Sequence, residues 1–177
     1  MMHFPNILLV AGQGRNVGKT SLIVSIIQQF KNEGIVAIKI SPHFHVLPPE
    51  ARILSSTPGF QIVEELEPAS KKDSSRFLKA GAERVFYMQV LDEHLADAFA
   101  ASLSFIDPGI PLIVESGGLG KFLQAGLFLF VESNESSAKN NNLCAKADKV
   151  LRFRDGGFDF GNDTIKWDGR SWKLKAK

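Results

Sequence analysis

One cysteine, Cys144, stands in 177 residues, so no internal disulfide can form, and the count suits a reducing cytoplasm. No apolar run approaches the roughly 20 residues that a membrane-spanning helix requires. The opening stretch MMHFPNILLV has neither a basic start nor a small-residue cleavage site, and a secretory leader is not expected. Neither sign of charge dominates: 21 Lys and Arg against 19 Asp and Glu leave +2, too little to mark nucleic acid or an anionic membrane as the main partner. With four histidines and that lone cysteine, a structural zinc site is not expected either. What remains, 44% hydrophobic and 23% charged, is the balance of an ordinary cytoplasmic globular protein. The length predicts a single domain over 1–177, large enough to remove roughly 70% of its unfolded surface from water.

The apolar runs set the order of elements. Residues 6–11, NILLVA, predict a buried strand. From Lys19 the period changes: Ile23, Ile26, Ile27 and Phe30 form one stripe of a helix that Gly34 can end. IVAIKI follows as a second strand, completing a βαβ unit with parallel strands. Residues 41–59 hold four prolines and no clean period, which predicts a long mobile loop; FQIVEELE after it reads as a short edge strand. Asp73 or Ser74 can cap a helix that Gly81 ends, and RVFYMQV is the next strand. Asp92 caps a helix with Leu95, Phe99, Leu103 and Ile106 on its buried stripe. PLIVES, GLFLFVES and KVLRF are further strands; polar NESSAKNNN between the last two reads as a loop with one helical turn near Ala138. The tail alternates around Asp168-Gly169 and predicts an appended hairpin over 163–175. Strands alternating with helices predict a three-layer α/β/α sandwich on a mostly parallel sheet, with a C-terminal β-hairpin.

Between the first strand and first helix lies AGQGRNVGKTS. The spacing Gly12-x-Gly14-x-x-x-Gly18-Lys19-Thr20 is close to the P-loop pattern G-x-x-x-x-G-K-[ST]. Such a loop binds phosphate through inward-pointing backbone N–H groups, aided by the partial positive charge of the following helix. Gly12, Gly14, Arg15, Asn16, Val17, Gly18, Lys19, Thr20 and Ser21 are the candidate nucleotide-binding residues. Lys19 would reach the β- and γ-phosphates, and Thr20 would offer its hydroxyl to Mg²⁺. The fold expected is therefore that of the P-loop-containing nucleoside triphosphate hydrolases. An acid is also needed near the metal. Glu115, at the end of LIVES, sits where ligands bind in open α/β sheets; Asp73 is the second candidate, and the sequence leaves the choice open.

A second cluster follows the second strand. KISPHFH puts Lys39, His43 and His45 on the same rim, and KKDSSRFLKAGA adds Asp73, Ser74 and Arg76 at a helix start. Two histidines one residue apart can share a metal or grip an anion, or stand simply as surface histidines in a loop.

With these residues in place, the chain resembles the molybdopterin-guanine dinucleotide biosynthesis protein B (MobB-type) GTP-binding proteins. The resemblance rests on the P-loop, the Lys-then-His stretch, KDSSRFLKAGA, and a strand ending VESG, in that order over about residues 5 to 120. It implies a homodimer and a slow Mg²⁺-dependent GTPase. It further implies partnership with the guanylyltransferase that attaches GMP to molybdopterin. Carried over, Gly14 to Ser21 hold phosphates, while Lys39, His43, His45, Asp73, Ser74 and Arg76 line the second half of the site. No Asn-Lys-x-Asp guanine signature is present, so ATP stays beside GTP as a candidate. RNVGKTS and VESGGLG also resemble dethiobiotin synthetase, which would make the protein an ATP-dependent ligase. A third reading is an adaptor that binds nucleotide without turnover.

Overall fold

The computed structural model describes residues 1–14, 16–132, 141–154 and 157–176. Its centre is a nine-stranded, mostly parallel sheet. Along the chain the elements are β1 (Met2–Gly12), α1 (Lys19–Gln29), β2 (Val36–Ser41), β3 (Arg52–Ser56), β4 (Phe60–Glu64), α2 (Asp73–Ala80) and β5 (Arg84–Val90). There follow α3 (Leu95–Leu103), β6 (Leu112–Glu115), β7 (Leu123–Glu132), α4 (Asn141–Cys144), β8 (Lys149–Arg154), β9 (Gly157–Phe158), β10 (Ile165–Trp167) and β11 (Trp172–Leu174). The sheet order is β3-β4-β5-β2-β6-β1-β7-β8-β9, with β10 and β11 forming a separate pair. The six strands from β5 to β8 in that order run parallel; antiparallel pairing is confined to β3, β4 and β9 at the two edges.

Apolar runs without alternation become central strands because both of their faces are covered. On β1, Ile7, Leu9 and Ala11 enter one core and Leu8 and Val10 the other. The first core takes Leu95, Ala98 and Phe99 of α3 and Leu143 of α4. The second takes Leu22, Ile23, Ile26 and Ile27 of α1, Phe77 of α2, and Ile165 and Trp172 of the terminal hairpin. Each fully buried Leu or Ile contributes about 1.5–3 kcal/mol, so α1 is held by this stripe and not by a side-chain N-cap, which it lacks.

Several expectations change. The segment 41–59 is not wholly loop, since β3 occupies Arg52–Ser56 and displaces β4 from the edge. It is held by pairing with β4; Arg52 Nη1 lies 3.2 Å from the buried Glu64 carboxylate that Arg84 binds. Neither Asp73 nor Asp92 caps a helix: Lys72 holds the N-cap position of α2 without a side-chain bond, and Asp92 opens a 3₁₀ turn ahead of α3. The interior stripe of α3 is Leu95, Ala98, Phe99 and Ser102, the i, i+3, i+4, i+7 face of the helix, while Leu103 and Ile106, the latter beyond the helix end, are only partly covered. β2 is parallel to β1 but not its neighbour; β6 lies between them. The hairpin is no appendage, because Trp172 is fully buried and packs edge-on against Phe30 at 5.0 Å. The helical turn expected near Ala138 lies outside the described residues. Among the described residues no helix is long and apolar enough to cross a membrane.

Candidate functional site

Strand register assembles the site. Glu115 closes β6 opposite Val10 of β1 and opposite Lys39 of β2. Residues paired across parallel strands share a face. Their neighbours two positions back, Ile113 and Ala37, belong to the core that α1 and α2 cover. Lys39 and Glu115 therefore emerge at the carboxyl ends of their strands, under the N-termini of α1 and α2. The chain leaves β1 toward β2 and leaves β7 toward β8 on the other side. This is the kind of switch point where open α/β sheets form a crevice.

The loop over that crevice has positive φ at alternate described positions: Gly14 (74°), Asn16 (58°) and Gly18 (96°). Arg15 lies outside the described residues. Alternation of this kind turns successive N–H groups toward one concavity, an anion-binding nest. Gly18 has a second constraint, since a Cβ there would lie 3.0 Å from Phe158 and 3.1 Å from Phe153. It also holds the N-cap of α1 without a side-chain cap bond, and the first turn of α1 contains no acidic residue. Uncapped N–H groups and the helix dipole favour an anion at that end. The Lys19 ammonium folds back over the loop and donates to the Gly14 carbonyl at 2.6 Å.

The charged groups form one chain. Lys39 Nζ donates to Glu115 Oε1 at 2.5 Å and lies 3.2 Å from Asp73 Oδ2; Arg76 stands 3.7 Å from Asp73 Oδ1. Glu115 is 4% exposed, and its other oxygen, Oε2, is buried with no hydrogen-bond partner among the described residues. Leaving a charged acceptor unmet costs more than the 1–3 kcal/mol of a neutral group. Lys19 has its pKa held below the ordinary lysine value, first by burial and then by the nearby Lys39 charge, against the opposing pull of Glu115 and Asp73. A desolvated ammonium beside a carboxylate with spare lone pairs suits a ligand that carries both anionic oxygens and a hard cation. Hydroxyl and carboxylate oxygens are the donors Mg²⁺ prefers, and it takes few of them from protein. Thr20 and Glu115 meet that description on the rim of one cavity.

That cavity, about 730 Å³, is lined by Gly12, Gly14, Asn16, Val17, Gly18, Lys19, Thr20, Ser21, Lys39, His43, His45, Asp73, Arg76 and Glu115. Residues scattered over more than a hundred positions thus line one cavity. Ser74 does not join them. It is buried and donates to Glu65 Oε2 at 2.7 Å, facing a neighbouring cavity of about 460 Å³; a hydroxyl engaged with a carboxylate is no anion ligand. No three His, Cys, Asp or Glu side chains converge as a metal cage among the described residues. Three contributors were missed. Gln89, fully buried on β5, accepts from the His45 N–H at 2.5 Å and donates to its carbonyl, pinning the loop to the sheet. Ser116 donates its N–H to the Val10 carbonyl and shapes the turn after β6 with its hydroxyl. Phe153 lines the opposite flank. Only its place at the end of KVLRF could have pointed to it.

No protein-family model, curated protein or solved structure matches the chain.

Proposed function

We propose that the chain binds a nucleoside triphosphate with Mg²⁺ in this cavity, as a P-loop protein whose two covered sheet faces form a three-layer α/β/α sandwich. The observation that carries the reading is the unpartnered, buried Oε2 of Glu115, a residue that lines the same cavity as the partly desolvated Lys19 and the start of α1, which has no side-chain cap. In this reading the loop N–H groups bind phosphate oxygens, and Lys19 exchanges its bond to the Gly14 carbonyl for the β- and γ-phosphates. Thr20 and Glu115 would hold Mg²⁺, which supplies charge neutralisation at the terminal phosphate. Lys39 and Arg76, both tied to Asp73, are the cations placed to meet a second anion. We assign GTP, slow hydrolysis, a cytoplasmic homodimer and work beside the molybdopterin guanylyltransferase on the MobB-type resemblance, to which KDSSRFLKAGA contributes Asp73 and Arg76 of the cavity.

A ligase reading has one observation in its favour. The 460 Å³ cavity shares Lys39, Ser41, His45 and Asp73 with the nucleotide cavity, as a small second substrate next to a terminal phosphate would require. Calorimetric titration of the purified chain with GTP and ATP, each with and without Mg²⁺, tests the common core of both readings. Mg²⁺-dependent binding of at least one is expected; no binding of either at millimolar concentration would overturn it. Tighter binding of GTP favours the MobB-type reading, and tighter ATP the ligase.

A further inference from the structure

The two flanks of the loop differ in chemistry, and the difference gives a bound nucleotide a direction. On the β6 and β2 side stand Glu115, Lys39 and Asp73, all charged. On the β7 and β8 side the loop meets carbon. Phe153, next to last in β8, pairs across strands with Phe158 of β9, ring centroids 5.0 Å apart at 62°. Both rings are half-buried, and both lie so near Gly18 that a Cβ there, 3.0–3.2 Å from their carbons, would have to push them aside by a few tenths of an ångström. Phe153 also lines the cavity that holds Lys19. Because β8 runs parallel to β7 and β1, its carboxyl end reaches the same rim, two strand spacings or about 10 Å from β1.

Resting on the nucleotide reading above, we propose that the Phe153 ring, backed by Phe158, is the shelf on which the purine base stacks, with the triphosphate running from that shelf across Gly18 toward Glu115. An aromatic face at the border of a phosphate cradle fits a flat π-system. The opposite flank cannot, because buried charge there would be stripped of partners. A purine is favoured by its larger stacking area. Stacking holds a base without reading its hydrogen-bonding edge, so the shelf binds adenine and guanine alike, and discrimination between them has to come from other groups.

The test separates base from phosphate. Wild-type protein, Phe153→Leu and Phe153→Tyr are titrated with Mg²⁺-GTP, Mg²⁺-ATP and Mg²⁺-tripolyphosphate. Thermal melts accompany the titrations, since leucine keeps the apolar packing on Gly18 while removing the π-face. Phe153→Leu should weaken both nucleotides about 10-fold or more, in line with loss of one base–aromatic stack. It should change tripolyphosphate affinity less than about twofold, while Phe153→Tyr retains nucleotide affinity. In parallel, 2-aminopurine riboside triphosphate should be quenched on binding to wild type and less so on binding to Phe153→Leu. Equal losses for nucleotide and tripolyphosphate, or unchanged nucleotide affinity and quenching, would overturn the shelf while leaving the cradle standing. Wild-type protein that binds neither tripolyphosphate nor nucleotide would remove both.

Discussion

The end of the sheet that forms the proposed phosphate cradle and the C-terminal hairpin both turn on glycine and both place acids against lysines, yet they leave those charges in opposite conditions. At the hairpin, Asp168 accepts from the backbone N–H groups of Arg170 and Ser171 and from Lys173 Nζ at 2.5 Å. Both of its oxygens are met, and the group lies at the surface. At the cradle, Glu115 is buried with one oxygen met by Lys39 and the other by nothing described. The hairpin has an unmet group too, the Trp172 indole N–H, but that group is neutral and enclosed in an apolar core. Charge that is exposed and fully paired completes a turn. Charge that is buried and half-paired, on a residue lining a cavity, leaves a contact for the proposed ligand to supply. The two regions should therefore fail separately: damage to the hairpin should cost stability and spare binding, and damage to the cradle should do the reverse.

The largest effect expected is at Trp172. Trp172→Ala removes a fully buried ring that packs on Phe30 and Trp167, and should cost about 3–5 kcal/mol of folding stability. Chemical denaturation would measure it, and nucleotide affinity of the remaining folded protein should stay within about twofold of wild type. A comparable loss of affinity would mean the hairpin and cradle are one cooperative unit, and the comparison would fail.

Lys19→Ala is the opposite break. Loss of charge-assisted bonds worth about 1.5–3 kcal/mol should weaken Mg²⁺-nucleotide binding roughly 10- to 150-fold. The melting temperature of the free protein should hold or rise, because a partly desolvated ammonium with a lowered pKa is a cost to folding while it remains protonated. The pH dependence has a definite sign. Phosphate raises the pKa that burial lowers, so binding takes up a proton in the alkaline range below the ordinary lysine value of about 10.4. Wild-type affinity should fall as pH rises through that range, and calorimetry of Lys19→Ala should show neither that slope nor the proton uptake.

How far these regions could be read from sequence follows from what determines them. The central strands β1, β2, β5, β6, β7 and β8 were legible because burial on both faces leaves continuous apolar runs. The loop before α1 was legible because its glycines and Lys19 are neighbours in the chain. β3 was not, since RILSS is largely exposed, follows a proline-rich stretch and depends on β4 for its form. The contact between Lys39 and Glu115 depends on β6 inserting between β1 and β2, a long-range pairing that local pattern does not encode. Ser74 misled for a related reason: adjacent residues on a helix point about 100° apart, so Asp73 lines the larger cavity with Lys39 while Ser74 turns to Glu65.

A smaller effect sharpens the choice between the two candidate acids. Glu115→Gln keeps the shape and an oxygen for Lys39 but removes the charge that Mg²⁺ would use, and should weaken Mg²⁺-dependent nucleotide binding about 10-fold, the scale of one charge-assisted contact. Asp73 is about two-fifths exposed and already shared by Lys39 and Arg76. Asp73→Asn should therefore change the same affinity less than threefold or so. Reversal of that order in magnesium titrations would move the metal-side role to Asp73.

The smallest effect belongs to the hairpin charge. Lys173, then the Ser171 and Arg170 N–H groups, hold the Asp168 carboxyl well below the usual carboxylate range. A depressed folded pKa contributes stability that is fully present above the unfolded value of about 3.9 and is lost as pH falls through the folded value. Because the group is exposed, the gap between wild type and Asp168→Asn at pH 7 should be at most about 2 °C in melting temperature. Melts at intervals from pH 7 to pH 2 should show that gap constant down to about pH 4 and closing below it. In the same variant, Mg²⁺-nucleotide affinity at pH 7 should not move. A gap that persists undiminished at pH 2 would assign the hairpin's stability to the turn geometry and not to the Asp168 charge, while a change in affinity would join the two regions that the comparison separates.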